Sequence, residues 1–223
     1  MNPNSLSVLE TVEHLDLSRA DALIQTLEAK IKSKPDDLRS LLLLGNTYYL
    51  LGRIGQSISQ FEKVLAVNPQ SAQAYYYLGV ALYRSGRVDE AVQALSKVTQ
   101  LSPSLVMAYY WLGIAHYHKG QYAESRQAFE TLLQRNAESI IAHYHAALAC
   151  VADQAYEHAR THLEALISRG HRDPQVYVLL GNVYYRLHKV TQAVDTYKRG
   201  LDLNPGNIPL KEALDFLTDV EEP

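Results

Sequence analysis

One cysteine, Cys150, stands in 223 residues, so no internal disulfide can staple the chain. An excess of charge of either sign is missing too. The 21 Lys and Arg against 24 Asp and Glu leave a formal net charge of −3, which gives no general pull toward nucleic acid. No apolar run reaches the roughly 18 residues of a membrane helix. The opening MNPNSLSVLETVEH has neither the basic start nor the continuous apolar stretch of a signal peptide. No Gly-rich phosphate loop follows a strand, and no HExxH, nucleophile elbow or convincing strand occurs. These absences point away from an enzyme, a cofactor, membrane insertion and nucleic-acid binding, and favour a cytoplasmic setting. With 47% hydrophobic and 20% charged residues the chain is globular in composition.

What is present is a period. Gly45, Gly79, Gly113, Ala147 and Gly181 follow one another at intervals of 34 residues. A single-core domain has no need of such a rhythm, whereas stacked supersecondary units do, because each buries its apolar face only against its neighbours. Units numbered from slot 1 to slot 34 start at Leu38, Ala72, Val106, Ile140 and Pro174. Slots 4, 7, 8 and 11 share one helical stripe; slot 4 holds Leu41, Tyr75, Tyr109, His143 and Tyr177. A second helix carries small residues at slot 20 (Ser57, Ala91, Ser125, Ala159, Ala193) and large ones at slot 24 (Phe61, Leu95, Phe129, Leu163, Tyr197). Small residues at slots 8 and 20 let two antiparallel helices approach closely. Gly52, Gly86 and Gly120 suit the left-handed conformation of a tight turn between them. Pro69, Pro103 and Pro205 at slot 32 stop the second helix.

The stretch AQAYYYLGVALYRSGRVDEAVQALSKVTQLSPS from Ala72 resembles the tetratricopeptide repeat: an aromatic, Leu-Gly, a second aromatic, a small Ala and a closing Pro. The resemblance implies an all-α, right-handed superhelical solenoid of repeats 38–71, 72–105, 106–139, 140–173 and 174–205. Residues 1–37 then form a degenerate opening repeat, with Ala20, Leu23, Ile24, Leu27 and Ile31 on one face of a helix over 18–33. A partner helix over 5–15 is expected before it, capped by Ser5 or Ser7. Residues 206–223 supply a capping helix, with Leu210, Ala213, Leu214 and Leu217 inward, and an acidic tail. With both ends covered, the chain reads as complete. The third and fourth repeats lack the slot-32 proline, having Ala137 and His171, and the fourth has Gln154 at the turn; irregular junctions are expected over 135–172.

Nine histidines invite a metal reading. His116/His118 and His143/His145 are two apart and point in different directions on a helix. His158/His162 share a face but lack a third ligand nearby, so no metal site is expected. Cys150 falls in a core slot and should pack as a small hydrophobe. Glu62, Glu90, Glu130, Glu164 and Asp195 fall on second helices, where a solvated convex face accounts for them.

In this family the first helices line a concave groove through slots 2, 5, 6, 9, 12 and 13. Those slots give an aromatic wall of Tyr76, Tyr77, Tyr83, Tyr110, Trp111, Tyr117 and Tyr144, joined by Met107, Arg84, His118, His145 and Arg186. No acidic residue occupies any of the thirty places. Tyr, Trp and Arg dominate binding hot spots, since rigid rings give large contact area at small entropic cost. The expected occupant is a protein or peptide segment with apolar and acidic residues. Tyrosine at slots 5 and 12 is also common in this family as inter-helix packing, which leaves part of the wall open to a purely structural role. The family's two-carboxylate clamp is not present: only Asn46 matches, with Leu42, Tyr77, Met107 and Trp111 in its other places. The asparagine ladder of glycosyltransferase-linked repeats is missing as well. An interaction adaptor follows as the first expectation. The alternative is a self-assembling scaffold, one copy's acidic terminus (Asp215, Asp219, Glu221, Glu222) entering another's groove.

Overall fold

The computed structural model describes residues 17–218, and among them it contains only helices, with no strand. The expected partner helix over 5–15 and the last five residues of the acidic tail, 219–223, lie outside the described residues. The helices are α1 (Leu17–Ser33), α2 (Leu38–Leu50), α3 (Ile54–Val67), α4 (Ala72–Arg84), α5 (Val88–Leu101) and α6 (Val106–His118). There follow α7 (Tyr122–Arg135), α8 (Ile140–Ala152), α9 (Tyr156–Ser168), α10 (Pro174–Arg186), α11 (Val190–Leu203) and α12 (Ile208–Thr218). A first compact unit ends at Ala115 and a second begins at His116, the boundary falling inside α6.

Local chemistry sets where the helices start. Ser71, Ser139 and Asp173 cap α4, α8 and α10, their side chains accepting from the backbone N–H of Ala74, Ala142 and Gln175, which satisfies donors that a helix start leaves open. Pro174 sits in the first turn of α10, where a missing N–H costs nothing.

In the first unit, Ile24 and Leu27 of α1 pack with Leu44 and Tyr48 of α2. Leu41, Val64 and Ala74 form a second cluster, and Ile58 and Phe61 join Leu78, Leu82 and Ala91 in a third. In the second unit, Ala147, Cys150, Leu163, Leu166, Val176 and Leu180 make one cluster. Tyr177, Ala193, Tyr197, Leu210 and Leu217 make the last, so α12 is held by its inner face. Burial raises the Cys150 thiol to about 12, which keeps it protonated and unreactive.

The small slot has a steric cause. A Cβ at Gly45 would collide with the Phe61 ring and one at Gly181 with the Tyr197 ring, and at Gly79 it would come 2.6 Å from Leu95. Slot 8 is thus the floor on which the large slot-24 side chain lies. Slot-20 residues Ser57, Ala91, Ser125, Ala159 and Ala193 are all fully buried.

The five turns inside the hairpins of the repeats all pass through a residue at positive φ, whatever its type. Gly52, Gly86 and Gly120 have φ of 74°, 81° and 72°, and Gln154 and His188 adopt 57° and 58°. The two junctions without proline differ from each other. Helix α7 ends at Arg135 and is capped by Asn136 with φ −143° and ψ 78°, close to Asn68, Ser102 and Asn204 at the other ends; losing the proline at 137 leaves this cap unchanged. Helix α9 ends at Ser168, and Gly170 at φ 80° donates to the Ile167 carbonyl while His171 donates to that of Leu166, the paired bonds of a left-handed helix stop. The expected irregularity over 135–172 is therefore confined to the end of the fourth hairpin.

Candidate functional site

The expected groove residues fall into two groups, one in each unit. In the first unit α4 contributes Tyr76, Tyr77, Tyr83 and Arg84, and α6 contributes Met107, Tyr110 and Trp111. The rings are partly buried and touch one another. Tyr77 stacks on the buried Phe61 at 5.6 Å and meets Tyr76 edge-on at 5.5 Å. Trp111 takes Tyr83 at a tilt at 5.7 Å and Tyr110 edge-on at 5.5 Å. Burial pushes the Tyr76 hydroxyl up, opposed by a hydrogen bond from Trp111, whose indole can only donate. Edge-on and tilted rings at these separations are attractive arrangements, so the cluster is held in shape by its own members. Met107 lies 48% exposed beside it.

Arg84 is exposed but engaged. Its Nη1 donates to the Tyr49 carbonyl at 3.3 Å, and the guanidinium lies over the Tyr49 ring at 5.0 Å, a cation–π contact. Asn46, the one residue matching the carboxylate clamp, is only 6% exposed and presents nothing to a ligand.

The second unit repeats the slot-6 stacking with other residues and adds a hollow at its end. Tyr117 packs at 5.5 Å against Tyr122 of the next helix and edge-on to the exposed His118 at 5.9 Å. Tyr144 meets His145 edge-on, and His145 stacks on the buried Phe129 at 5.7 Å with 17° between the planes; burial lowers its pKa. Arg186 is exposed at the rim of a hollow of about 550 Å³ lined by Tyr156, Leu179, Asn182, Tyr185 and Phe216 among others. A smaller hollow of about 440 Å³ shares Tyr156, Tyr185 and Arg186. Tyr156 and Phe216 escape sequence reasoning. Phe216 was findable only as an apolar residue standing off the inner face of α12, where it is 57% exposed.

The histidines pair in a way that spacing along one helix does not anticipate. His143 Nε2 lies 3.0 Å from the Ala137 carbonyl and must donate to it, so Nδ1 of the neutral ring accepts, 3.1 Å from His162 Nδ1. Burial drives His162 down to about 4, with help from His143, His158 and Arg126, and also lowers His143. Among the described residues no three His, Cys, Asp or Glu side chains gather as a metal site. Nor is Glu164 simply a solvated carboxylate on a convex face: it accepts from the Tyr184 hydroxyl at 2.6 Å, as Glu28 accepts from Tyr48 at 2.7 Å. Burial and these carboxylates push both phenols up to about 12. No described helix is long and apolar enough to cross a membrane.

Comparison with known proteins places this geometry. Three sequence models, each described as a tetratricopeptide repeat, match residues 42–106, 83–151 and 174–207. No curated protein matches significantly. Among solved structures the fold is similar to YrrB, described as a tetratricopeptide-repeat protein with an unusual peptide-binding site. The TM-score is 0.76 at 14% identity, over 84% of this chain and 96% of that one. It is similar also to MamA from Desulfovibrio magneticus RS-1, with a TM-score of 0.70 at 18% identity over 78% of this chain and 98% of that one. PilF of Pseudomonas aeruginosa follows with a TM-score of 0.66 at 18% identity, over 91% and 97%.

Proposed function

The chain belongs to the tetratricopeptide-repeat family, whose arrays are non-catalytic protein-interaction scaffolds, and from that premise we propose that it is an adaptor gripping a partner's peptide segment on the aromatic face of α4 and α6. The observation that carries this reading is the ring cluster Tyr77–Tyr76–Trp111–Tyr83–Tyr110, partly buried and cross-braced, with Met107 exposed beside it. Rings already immobilised by their neighbours lose little entropy when a ligand settles on them. Affinity then comes from a few desolvated aromatic anchors rather than from total area.

The decisive measurement compares binding of an isolated partner by the wild-type chain, Trp111→Ala and Tyr77→Ala. Each substitution is expected to weaken binding by about 1–3 kcal/mol while far-ultraviolet circular dichroism stays nearly unchanged. Equal binding by the wild type and the double variant would sink the reading. A second reading, self-assembly, draws support from α12, which leaves Ile208 64% and Phe216 57% exposed. Light scattering across a concentration series, with and without residues 207–223, tests it; a monomer throughout retires it.

A further inference from the structure

The hollow of the second unit has walls from five helices: Val151 of α8, Tyr156 of α9, Asn182 and Tyr185 of α10, Tyr197 of α11 and Phe216 of α12, among others. Its volume of about 550 Å³ lies within the range of sites that enclose a ligand group. The floor is rigid. The Tyr197 ring lies against Gly181, where no Cβ would fit, and its hydroxyl donates to Asn182 Oδ1 at 2.8 Å. That bond occupies the Asn182 carbonyl and leaves its amide N–H groups for an occupant. Tyr185 and Phe216 stand edge-to-face at 6.0 Å and 84°, both substantially exposed, forming an apolar lip.

Polarity at the rim is one-sided. Arg186 is exposed and makes no hydrogen bond, ion pair or ring contact within the described residues, unlike Arg84 on its Tyr49 ring. Among the described residues no Asp or Glu lines the hollow. Donors without a counter-charge above an apolar pit disfavour a cationic occupant and match a carboxylate beside a bulky apolar side chain.

We propose that this hollow is the anchor point for a partner segment in which a large apolar side chain, best an aromatic one, is flanked by Asp or Glu. The ring enters against Tyr185 and Phe216, and Arg186 takes the carboxylate. The inference deepens the peptide-binding reading and rests on it, but it places the specificity-setting contact on residues other than the α4–α6 cluster.

The test uses fluorescein-labelled seven-residue peptides built from Gly and Ser around a central Asp-Phe-Glu, with Asp-Ala-Glu, Asn-Phe-Gln and Lys-Phe-Lys as controls, read by anisotropy against the full chain. Saturable binding of the Asp-Phe-Glu peptide is expected, with at least tenfold weaker binding of the alanine and lysine versions. Arg186→Gln should bring the Asp-Phe-Glu and Asn-Phe-Gln peptides to near-equal affinity. Phe216→Ser, at an exposed position, should weaken both phenylalanine peptides with helicity intact. If the Tyr77→Ala/Trp111→Ala double variant loses the Asp-Phe-Glu peptide while Arg186→Gln and Phe216→Ser keep it, the α4–α6 reading stands and this inference falls. No saturable binding at millimolar peptide overturns it, as does indifference to Arg186→Gln and Phe216→Ser. A homodimer that those two variants dissociate, without peptide binding, would give the hollow to a second copy and overturn it as well.

Discussion

In both units a slot-6 ring lies flat on a buried slot-24 ring, Tyr77 on Phe61 and His145 on Phe129. The first unit gathers further rings through Trp111 to Tyr83 and Tyr110, whereas the second opens a hollow at its end. Tyr77 and Trp111 tie Tyr76, Tyr83 and Tyr110 into one patch. In the fourth repeat slot 4 holds His143, which faces another histidine, where the second repeat has Tyr75. One period therefore hosts two chemistries. The repeat dictates where side chains point, and the local residue choice dictates whether they close a face, brace a junction or leave a cavity.

The largest effect should come from attacking what the two units share. Gly45→Val drives a side chain into the fully buried Phe61, and overpacking at the upper end of its usual cost, about 3 kcal/mol, is expected in urea unfolding. Ala147→Gly at the equivalent slot of the second unit should cost only about 1 kcal/mol, from helix propensity. Similar losses at the two sites would show that the floor is not set by the slot-24 ring.

A pH series separates the units next. His162 has a folded pKa of about 4 against an ordinary 6.5, so the unfolded chain binds more protons between those values. Its contribution is complete above about 6.5 and drains away as pH falls toward 4. A loss of about 1–2 kcal/mol is expected, less than full linkage because His162 keeps contact with water. Amide exchange at pH 7 and pH 5 should show it in α8 and α9, and not in α2 to α5. The double variant His143→Tyr/His162→Ala, which installs the residue types of Tyr109 and Ala128 one repeat earlier, should flatten the profile. A profile unchanged by that pair of substitutions would remove the histidine contact as its cause.

The smallest effect lies at the turns. Gln154 and His188 hold positive φ where earlier hairpins have glycine, and a side chain there costs about 1 kcal/mol. Gln154→Gly and His188→Gly should each raise stability by about 0.5–1 kcal/mol in thermal unfolding, and Gly86→Ala should lower it by a similar amount. No gain in the first two would mean that their side chains repay the strain elsewhere.

Much of this fold was legible because a repeat reduces three dimensions to one. Knowing that slot 8 is small and slot 24 large is enough to place Gly45 under Phe61 and Gly181 under Tyr197, and the left-handed turn recurs even where glycine does not. The site was legible only in part. Tyr77, Tyr83 and Trp111 could be assigned to a face, but that Tyr77 leans on Phe61 and that Arg84 is committed to Tyr49 depend on rotamers. His143 was weighed against His145, two residues away, although its partner, His162, is nineteen residues away across the hairpin. Glu164 read as surface charge because the Tyr184 hydroxyl that it accepts from is brought to it by the following helix, twenty residues on.

Periodicity and residue size along the chain were sufficient to specify helical hairpins, their turns and the stripe each helix buries, since those follow from contacts at fixed separations. Which arginine stays unengaged, which rings brace each other and where a hollow opens depended on side chains from helices far apart in sequence. Such contacts arise only once packing has selected one rotamer from several of nearly equal local energy.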